Sequence, residues 1–539
     1  MLRSPITSFL LLALVCSTAT AQKKDPKKKT FAKPIDKLEL SDGDTIVFLG
    51  DSITHQCLYT QYVEDYFYTR FPKMRLKLHN AGVGGARAWD ALARFDKDIA
   101  KYKAKYVTIL LGMNDGTYRP FHDPTFDIYK KDMKELLDRL VKSGAKPILM
   151  SPTMFDSRAA RIRRPNAKSP RLEFYNSVLA YYGQWLREVA AESGYGFVDM
   201  YGRLNNITFR ERKKNANFTL IRDSVHPDAP GQLVMAFSIL EDMKMPRQVS
   251  SIRLIKRGKQ WERRAKRGEI EDFELGEGGK VSFAWHAASL PFVVPEEAQL
   301  GARLVNLGGR MGRETFEVNG LRPGPYQLTI DGKSVGVWNH IALSKGVQLH
   351  NRKSTPQYQQ ALAVAQLNSK RNKGPVRSLR NEWSRFQRFA RTQRRAKANP
   401  EDKKAAQRLA ELTKQMKGMD ERVAKHEAAA KEIEDQIFKI NQPKARKYVL
   451  RRANLSEVNG TIRLKGLPVV GAQVVIAGLG IRRVIRTKDE GDFQLKRWQG
   501  LLKGEYNVTV RRKGKVLSQG KLKIKIDPDG ENEFTFDLE

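Results

Sequence analysis

Three residues of this chain carry the functional groups that nucleophilic catalysis requires. Ser52 comes just after the buried-strand pattern Thr45–Leu49 and the backbone hinge Gly50. Ligands of open α/β sheets bind beyond the carboxyl ends of the strands, so a serine placed there is a candidate nucleophile. His226 can accept the serine proton near neutral pH. Asp223, three residues before His226, can turn back onto the other ring nitrogen, fix the imidazole tautomer and stabilise the imidazolium.

Two glycine- and asparagine-containing blocks could supply hydrogen-bond donors for a tetrahedral oxyanion. The blocks are Asn80–Gly85 and Gly112–Asp115, and each follows a predicted strand. The backbone N–H groups of Ser52 and Gly85 and the side-chain amide of Asn114 could converge on one oxygen. Each block alone is equally typical of an ordinary turn. Their joint occurrence, in order and at strand ends, favours a single acyl-transfer site.

The elements that must position these residues alternate between strand and helix patterns from Asp42 to Met245. Such alternation predicts a parallel sheet with helices on both faces, and therefore one α/β domain. The predicted strands are Thr45–Leu49, Arg75–His79, Tyr106–Leu111, Pro147–Ser151 and Gly196–Met200. The predicted helices are Leu58–Phe71, Thr125–Lys142, Arg171–Glu192 and Pro230–Lys244.

The blocks resemble those of the SGNH hydrolases, also called the GDSL esterase/lipase superfamily, over roughly Ser41 to Pro246. The resemblance implies a flavodoxin-like three-layer α/β/α domain. It also implies ester hydrolysis without a metal or other cofactor, in which Ser52 is acylated, the alcohol leaves and water attacks the acyl-enzyme. Ala86 stands where many members carry a polar residue, so the hydrogen bonding of that loop is open. The matching residues are Ser52, Gly85, Asn114 and His226, with Asp223 as the acid.

The N-terminus has the pattern of a secretory signal peptide. Arg3 supplies the positive charge, Phe9 to Val15 the apolar core, and Ala19 to Ala21 the small-residue cleavage site. The apolar run is too short for a membrane span, which needs roughly 20 residues. We therefore predict a protein without a transmembrane segment that is secreted, periplasmic or in the cell envelope. Cleavage would leave Cys57 alone, which excludes an intrachain disulfide, and we expect a buried, inert thiol.

The formal net charge of +39 over 539 residues is extreme. Such a charge informs about partners and solubility rather than about the fold. It fits a solvated basic surface, or a surface that binds an anionic polysaccharide, an acidic envelope or nucleic acid. Export argues against nucleic acid, and the sequence has no nucleic-acid recognition motif.

Three further regions follow the α/β domain. Short alternating runs and the hairpin signal Asp331-Gly332 predict a small β-rich domain. The last part of the chain has turns about every ten residues and resembles carboxypeptidase regulatory-like sandwich domains, which usually act as adhesion or spacer units. Together with the run Gly50–Arg70 and Gln359–Leu362, these additions resemble large secreted bacterial members of the superfamily.

The predicted organisation is a signal peptide (1–21), a basic disordered tether (22–40), a hydrolase domain (41–247), a small β-rich domain (248–350), a basic helical hairpin or arm (351–448) and a C-terminal β-sandwich (449–539).

The helical arm has an apolar seam. From Leu409 to Ile440 apolar residues recur at alternating spacings of three and four, as in a coiled coil. His426 lies on this seam, where we expect a packed polar residue rather than a ligand. The arm is strongly basic, with 25 Lys and Arg against 10 Asp and Glu in residues 351–450. The seam predicts either an arm packed on the rest of the chain or an oligomerisation device.

A run of arginines follows the strand Pro147–Ser151 and leaves the edge of the sheet that carries Ser52. We hypothesise that it draws an anionic substrate, such as an acylated acidic or sulfated glycan, by electrostatic steering. The alternative is a solvated charge run. For the whole chain we predict an exported carbohydrate (O-acetyl) esterase; the alternative is an envelope- or polysaccharide-binding scaffold with a vestigial hydrolase domain. The candidate substrate-binding residues are Arg158, Arg161, Arg163 and Arg164.

Overall fold

The computed structural model describes residues 32–165, 170–518 and 522–539. The predicted signal peptide and residues 22–31 of the predicted tether lie outside the described residues. The rest of the predicted tether packs on the α/β domain. Ile35 N donates to Gly194 O at 3.2 Å and Leu38 N donates to Met243 O at 3.3 Å. The prediction of disorder is wrong for this part, because Ile35 and Leu38 join the apolar core of the domain.

The central sheet of the α/β domain has the strand order β2-β1-β3-β4-β5, and all its neighbours are parallel. This is the flavodoxin-like order of doubly wound sheets, so the predicted fold class is confirmed. The strands are β1 (Thr45–Gly50), β2 (Lys77–Gly82), β3 (Tyr106–Leu110), β4 (Lys146–Met150) and β5 (Gly196–Val198). The helices are α1 (Ser52–His55), α2 (Leu58–Arg70), α3 (Ala88–Ala93), α4 (Phe95–Asp98), α5 (Asp123–Lys142), α6 (Ser157–Arg163), α7 (Pro170–Ser193), α8 (Met200–Arg212) and α9 (Ala229–Asp242).

Strand β1 lies between two apolar layers. Ile46 and Phe48 belong to a core that includes residues of α2 and α9. Val47 and Leu49 belong to a second core, which includes residues of α5 and α7. Successive side chains of a strand point to opposite faces, so a strand buried on both sides reads as a continuous apolar run. This continuous apolar run makes β1 recognisable as a buried strand from the sequence.

The four predicted helices are present as α2, α5, α7 and α9, and the described part of the domain has five further helices, α1, α3, α4, α6 and α8. The predicted strand Gly196–Met200 extended into the start of α8, whose cap is Asp199: its Oδ1 accepts from Gly202 N at 2.7 Å. Cys57, between α1 and α2, is buried as predicted, and its Sγ donates to His55 O at 3.2 Å. Burial raises the pKa of this thiol to about 12, so the reactive thiolate is disfavoured.

The β-rich region contains two sheets around one core. Their strand orders are β13-β10-β6-β7 and β12-β11-β14-β9-β8. Asp331 and Gly332 form the turn between β11 and β12, with φ values of +49° and +76°. The strands are β6 (Gln248–Arg257), β7 (Gln260–Lys266), β8 (Gly268–Gly276), β9 (Lys280–Ala287), β10 (Arg313–Asn319), β11 (Pro325–Ile330), β12 (Lys333–Asn339), β13 (Val347–Gln348) and β14 (Arg446–Arg452). The helices are α10 (Gln299–Leu304), α11 (Leu307–Met311) and α12 (His340–Lys345). Because β14 pairs with β9 and β11, this sheet crosses the predicted boundary at residue 448.

The arm is helical and packs on the α/β domain. Met419 and Val423 of its apolar seam lie in the same core as Val47 and Leu49. The core of the α/β domain therefore covers this part of the seam. An oligomer would need this part of the seam to be exposed, so the packing argues against oligomerisation through it. His426 is half-buried. The helices are α13 (Pro356–Arg371), α14 (Arg377–Ala398), α15 (Lys403–Met416) and α16 (Met419–Ile440), with a π-helical turn (Asn372–Val376) between α13 and α14.

A buried ion pair fastens α14 to the α/β domain. Arg380 Nη1 and Nη2 donate to the two carboxylate oxygens of Asp98 at 2.9 and 2.7 Å, and both side chains are fully buried. Burial alone would raise the pKa of Asp98, but Arg380 and Arg94 hold it well below its usual range. A second contact joins α2 to the π-helical turn, where Asn372 Nδ2 donates to Glu64 Oε2 at 2.6 Å. The arm is therefore part of the folded unit around the sheet.

The C-terminal region has two more sheets that share one apolar core. One contains β15, β16, β19 and β23; the other contains β17, β18, β20, β21 and β22. Its resemblance to carboxypeptidase regulatory-like domains stays a prediction. The strands are β15 (Val458–Leu464), β16 (Leu467–Pro468), β17 (Gln473–Gly478), β18 (Ile481–Arg486), β19 (Asp492–Leu495), β20 (Gly504–Arg512), β21 (Lys515–Val516), β22 (Leu522–Ile526) and β23 (Glu533–Leu538).

Candidate active site

Ser52 is the first residue of α1, directly beyond the carboxyl end of β1. The preceding Asp51 caps the helix, since its Oδ1 accepts from Ile53 N at 2.9 Å. Gly50 allows the tight turn, because a Cβ at this position would stand 2.1 Å from Thr54 Oγ1. The strand, the glycine and the cap thus present the half-buried Ser52 at the edge of the sheet.

The structure brings the three predicted residues together in one hydrogen-bond chain. Ser52 Oγ lies 2.8 Å from His226 Nε2, across 174 residues of sequence. His226 Nδ1 lies 2.6 Å from Asp223 Oδ2. This geometry lets Nε2 accept the serine proton while Nδ1–H donates to the carboxylate.

The Asp223 carboxylate is held by its own backbone turn. Its Oδ1 accepts from Val225 N at 3.0 Å and from His226 N at 2.7 Å. Burial would raise the pKa of Asp223, but these bonds and the imidazole lower it below the ordinary value. Asp223 is therefore ionised at neutral pH and can accept a hydrogen bond from His226 Nδ1.

Two of the predicted oxyanion donors, Gly85 and Asn114, lie on the loops that follow β2 and β3, the two neighbours of β1. Asn114 Nδ2 donates to Ala86 O at 3.1 Å, and Tyr118 Oη donates to Asn114 Oδ1 at 3.1 Å. Asn114 Nδ2 also lies 3.5 Å from Asp51 Oδ2, beside the turn that carries Ser52. Gly85 has a φ of +68°, in the left-handed region that favours glycine. The bond between this loop and Asn114 uses the backbone carbonyl of Ala86, so it does not depend on a polar side chain at position 86.

Comparison with known proteins agrees with this geometry. The GDSL-like lipase/acylhydrolase family matches residues 48–234, the part of the chain that contains the sheet, Ser52 and His226. This domain is an SGNH hydrolase of that family. The class of enzyme is accordingly a carboxylic ester hydrolase.

Three relatives illustrate how far the similarity extends. An acetylxylan esterase from Geobacillus stearothermophilus is 24% identical over 230 residues, which cover 38% of this chain and 96% of the esterase. The lipoprotein YqeF of Bacillus subtilis (strain 168) is 33% identical over 78 residues, 14% of this chain and 32% of YqeF. The structure of a gut microbial diltiazem-metabolizing enzyme is 26% identical, with a TM-score of 0.67, and covers 79% of this chain and all of that chain. The last likeness extends beyond the SGNH domain into the added regions.

Two carboxylates of the SGNH domain lie beside the predicted site residues but had no predicted role: Asp115, in the block Gly112–Asp115, and Asp51, next to Ser52. Asp115 is buried, and it accepts from Ala88 N through Oδ1 and from Gly112 N through Oδ2, both at 2.9 Å. It therefore joins the loop after β2 to the loop after β3. Burial raises the pKa of Asp115 to about 7 and that of Asp51 to about 6. Both residues follow a strand at the same sheet edge, a signal that could have identified them.

The predicted arginine run of the SGNH domain forms the short helix α6 rather than a loop. Asp156 caps this helix, since its Oδ1 accepts from Ala159 N at 3.0 Å. Arg163 Nη1 donates to Asp223 O at 2.8 Å, so the run does reach the backbone of the predicted acid. Arg161 pairs with Glu173 at 3.1 Å, and Arg158 and Arg164 are exposed. A role of the four arginines in substrate binding stays a prediction.

The described part of the chain contains no group of three or more His, Cys, Asp or Glu side chains placed to hold a metal ion. Among the same residues, no helix combines the length and apolar character that crossing a membrane requires.

Proposed function

We propose that this chain is an exported carbohydrate esterase that removes O-acyl groups, O-acetyl above all, through an acyl-enzyme on Ser52. The observation that carries the proposal is the hydrogen-bond chain Ser52–His226–Asp223, with distances of 2.8 and 2.6 Å. A vestigial domain would be free to lose one of these groups or their alignment. Retention of all three therefore favours an enzyme over a pure scaffold.

The mechanism assigns one task to each group. His226 Nε2 takes the proton of Ser52 as Oγ attacks the ester carbonyl carbon, and Asp223 stabilises the resulting imidazolium. The N–H groups of Ser52 and Gly85 and the amide of Asn114 donate to the oxyanion. Collapse of the tetrahedral intermediate expels the alcohol, which takes its proton from His226. Water, deprotonated by His226, then attacks the acyl-enzyme and releases the carboxylic acid and free Ser52.

The substrate class and the location rest on the relatives. The acetylxylan esterase aligns over nearly its whole length, which supports an acetylated polysaccharide as substrate. A lipoprotein among the relatives and the signal-peptide pattern of residues 1–21 support a secreted or envelope location.

The proposal predicts stoichiometric labelling of Ser52 by a fluorophosphonate and release of acetate from an acetylated glycan. Peptide mass spectrometry locates the label, and a panel of acetylated xylan, pectin and chitin fragments identifies the glycan. The Ser52→Ala variant is expected to show neither labelling nor acetate release. Labelling at a different serine, or acetate release that persists in Ser52→Ala, would contradict the mechanism. A protein without Ser52-dependent turnover on any of these esters would instead be the scaffold.

One sheet of the C-terminal region favours a second role, binding to an anionic polysaccharide. On β18, β20 and β22 the apolar residues Ile481, Val508 and Ile524 enter the apolar core, and most of the residues on the opposite face are exposed. Gln473 of β17 pairs with Arg486 of β18 on one side and with Arg511 of β20 on the other, so the two arginines lie in line across the sheet. Spacings of roughly 5 Å between strands and 7 Å along each strand suit the repeating charges of a linear polyanion. The exposed cations of this basic face are Arg482, Arg486, Arg511, Lys523 and Lys525.

Removing three charges from the basic face is expected to weaken binding to heparin by about tenfold or more, since a cation near an anionic surface is worth about 1 kcal/mol. The salt concentration for elution from a heparin column and the Kd at 0.15 M salt measure the effect. The variant is Arg482→Gln, Arg486→Gln and Lys523→Gln.

The matched control removes the same charge from exposed positions of the arm, so both variants have the same net charge. Equal losses in the two variants would show that the total charge, rather than the basic face, determines binding, and the second role would be wrong. The control is Arg388→Gln, Lys397→Gln and Lys414→Gln.

A further inference from the structure

Helix α14 of the arm lies against the loop that carries one predicted oxyanion donor. This loop, Val83–Arg87, connects β2 to α3. Gln387 Nε2 donates to Gly84 O at 2.9 Å, and Arg391 Nη2 donates to Gly85 O at 2.7 Å. More than 300 residues of sequence separate donor from acceptor in both contacts. The loop has glycines at these positions, so its own side chains cannot fix its conformation.

The contact of Gln387 determines where the Gly85 N–H points. The carbonyl of Gly84 and the N–H of Gly85 belong to one planar trans peptide unit, in which they point in opposite directions. Because Gly84 O accepts from Gln387, the Gly85 N–H points away from α14. On another side of the loop, Asn114 Nδ2 donates to Ala86 O at 3.1 Å. The loop is therefore held between the arm and Asn114, the predicted side-chain donor to the oxyanion.

The neighbouring peptide units are held as well. Gly84 N donates to His55 Nδ1 at 3.1 Å, and His55 Nε2 lies 3.2 Å from Asn381 Oδ1 of α14. This pattern requires the neutral imidazole with its proton on Nε2. Burial and the cations Arg377 and Arg380 lower the pKa of His55 to about 4, which keeps Nδ1 free to accept.

The two arm residues are themselves fixed. Gln387 is buried, and its helix is anchored in the core of the α/β domain by Leu379 and Trp383. Arg391 forms a two-point contact with Asp90, Nε to Oδ1 at 2.7 Å and Nη2 to Oδ2 at 2.6 Å. Asp90 Oδ2 also accepts from Arg87 N at 2.8 Å, at the end of the loop. Rigid support of this kind lets a donor act without reorganising during the reaction.

We propose that α14 of the arm orients the Gly85 N–H toward the oxyanion, with Gln387 and Arg391 as positioning residues. The inference rests on the proposed function of Ser52. It gives the arm a catalytic task that its basic composition does not reveal. In this arrangement the nucleophile, base and acid come from the SGNH domain, while the oxyanion loop takes its shape from a helix 300 residues downstream.

The decisive variant is Gln387→Met, which keeps the length of the side chain and removes its donor. We expect kcat for p-nitrophenyl acetate to fall roughly 10- to 100-fold, with a much smaller change in KM, because a misplaced oxyanion donor weakens only the transition state. Gln393→Met is the matched control, since Gln393 is exposed on the same helix. Its kcat is expected to equal that of the unmodified protein.

A rate comparison between an ester and its thionoester separates positioning from general loosening of the fold. The thiono sulfur accepts hydrogen bonds poorly, so oxyanion donors accelerate the oxygen ester selectively. Gln387→Met is therefore expected to lower the ester-to-thionoester rate ratio, and Gln393→Met to leave it unchanged. Equal kcat values and equal ratios in the two variants would overturn the inference.

A second pair of variants covers the case in which Gln387→Met fails to fold. Arg391 is exposed, and Arg391→Lys keeps its charge but loses the two-point contact with Asp90. We expect a reduced ester-to-thionoester ratio for Arg391→Lys and the original ratio for Arg388→Lys on the same helix. An unchanged ratio in Arg391→Lys would count against the inference. Turnover that survives in Ser52→Ala would instead show that the proposed function itself is wrong.

Discussion

Replacing Ser52 with alanine is expected to reduce kcat/KM for p-nitrophenyl acetate by about 10⁴- to 10⁶-fold. The reason is that Ser52 Oγ is the oxygen 2.8 Å from His226 Nε2, and acylation requires that pair. The rate that remains would come from oxyanion donors acting on direct attack by water. Steady-state kinetics of the purified variant measures kcat/KM, and circular dichroism checks that the variant keeps its fold.

A suitable control for this substitution is Ser344→Ala. Ser344 belongs to α12 in the β-rich region, where its Oγ donates to Ile341 O at 2.9 Å. The control removes the same atom without touching the sheet edge, so its kcat/KM should match that of the unmodified protein. A Ser52→Ala variant that stays within tenfold of the unmodified protein would exclude Ser52 as the nucleophile.

The sheet and the edge that carries Ser52 were predictable because local sequence determines them. The run from Ile46 to Leu49 is buried on both faces and reads as a continuous apolar strand. Parallel strands end at the same edge, so placing Ser52, Gly85 and Asn114 after consecutive strands already predicted their proximity. The strand order confirms this reasoning, since β2 and β3 are the two neighbours of β1.

The surroundings of that edge were not predictable, because they depend on contacts between distant segments. The spacing of Met419 and Val423 indicates an apolar helix face but not its partner, and that face packs on the sheet domain. In the same way, nothing in the sequence near Gln387 indicates that its amide reaches Gly84 O. A periodic pattern shows that a helix must bury one face; tertiary packing determines against what.

Asp115 was predictable only in part. Its position in the block Gly112–Asp115 was visible, yet its role depends on Ala88 N, which lies beyond the other loop. A buried carboxylate that accepts two backbone N–H groups holds two chain segments in register. The sequence shows that such an acid is present, but the pair of donors it joins appears only in the fold.

Replacing Asp223 with asparagine is expected to lower kcat/KM by roughly 10³- to 10⁴-fold, the second largest loss we predict. The side chain keeps one oxygen, which can still accept from Val225 N and His226 N as Oδ1 does now, at 3.0 and 2.7 Å. The amide nitrogen would then face His226 Nδ1 and donate to it. The imidazole would have to carry its proton on Nε2, where it could no longer accept the proton of Ser52. The fold would persist while the base is held in the wrong tautomer.

Acid unfolding provides an independent measure of the same carboxylate. Because the folded-state pKa of Asp223 is depressed, its ionised form stabilises the protein above the unfolded pKa of about 3.9, and this contribution is lost as pH falls through the folded pKa. The stability difference between the original protein and Asp223→Asn should therefore shrink in that acidic range.

The control Asp127→Asn, on an exposed residue paired with Lys130, is expected to leave kcat/KM unchanged. A loss below about tenfold in Asp223→Asn would mean that His226 keeps its working tautomer without the acid, so that another group must orient the base.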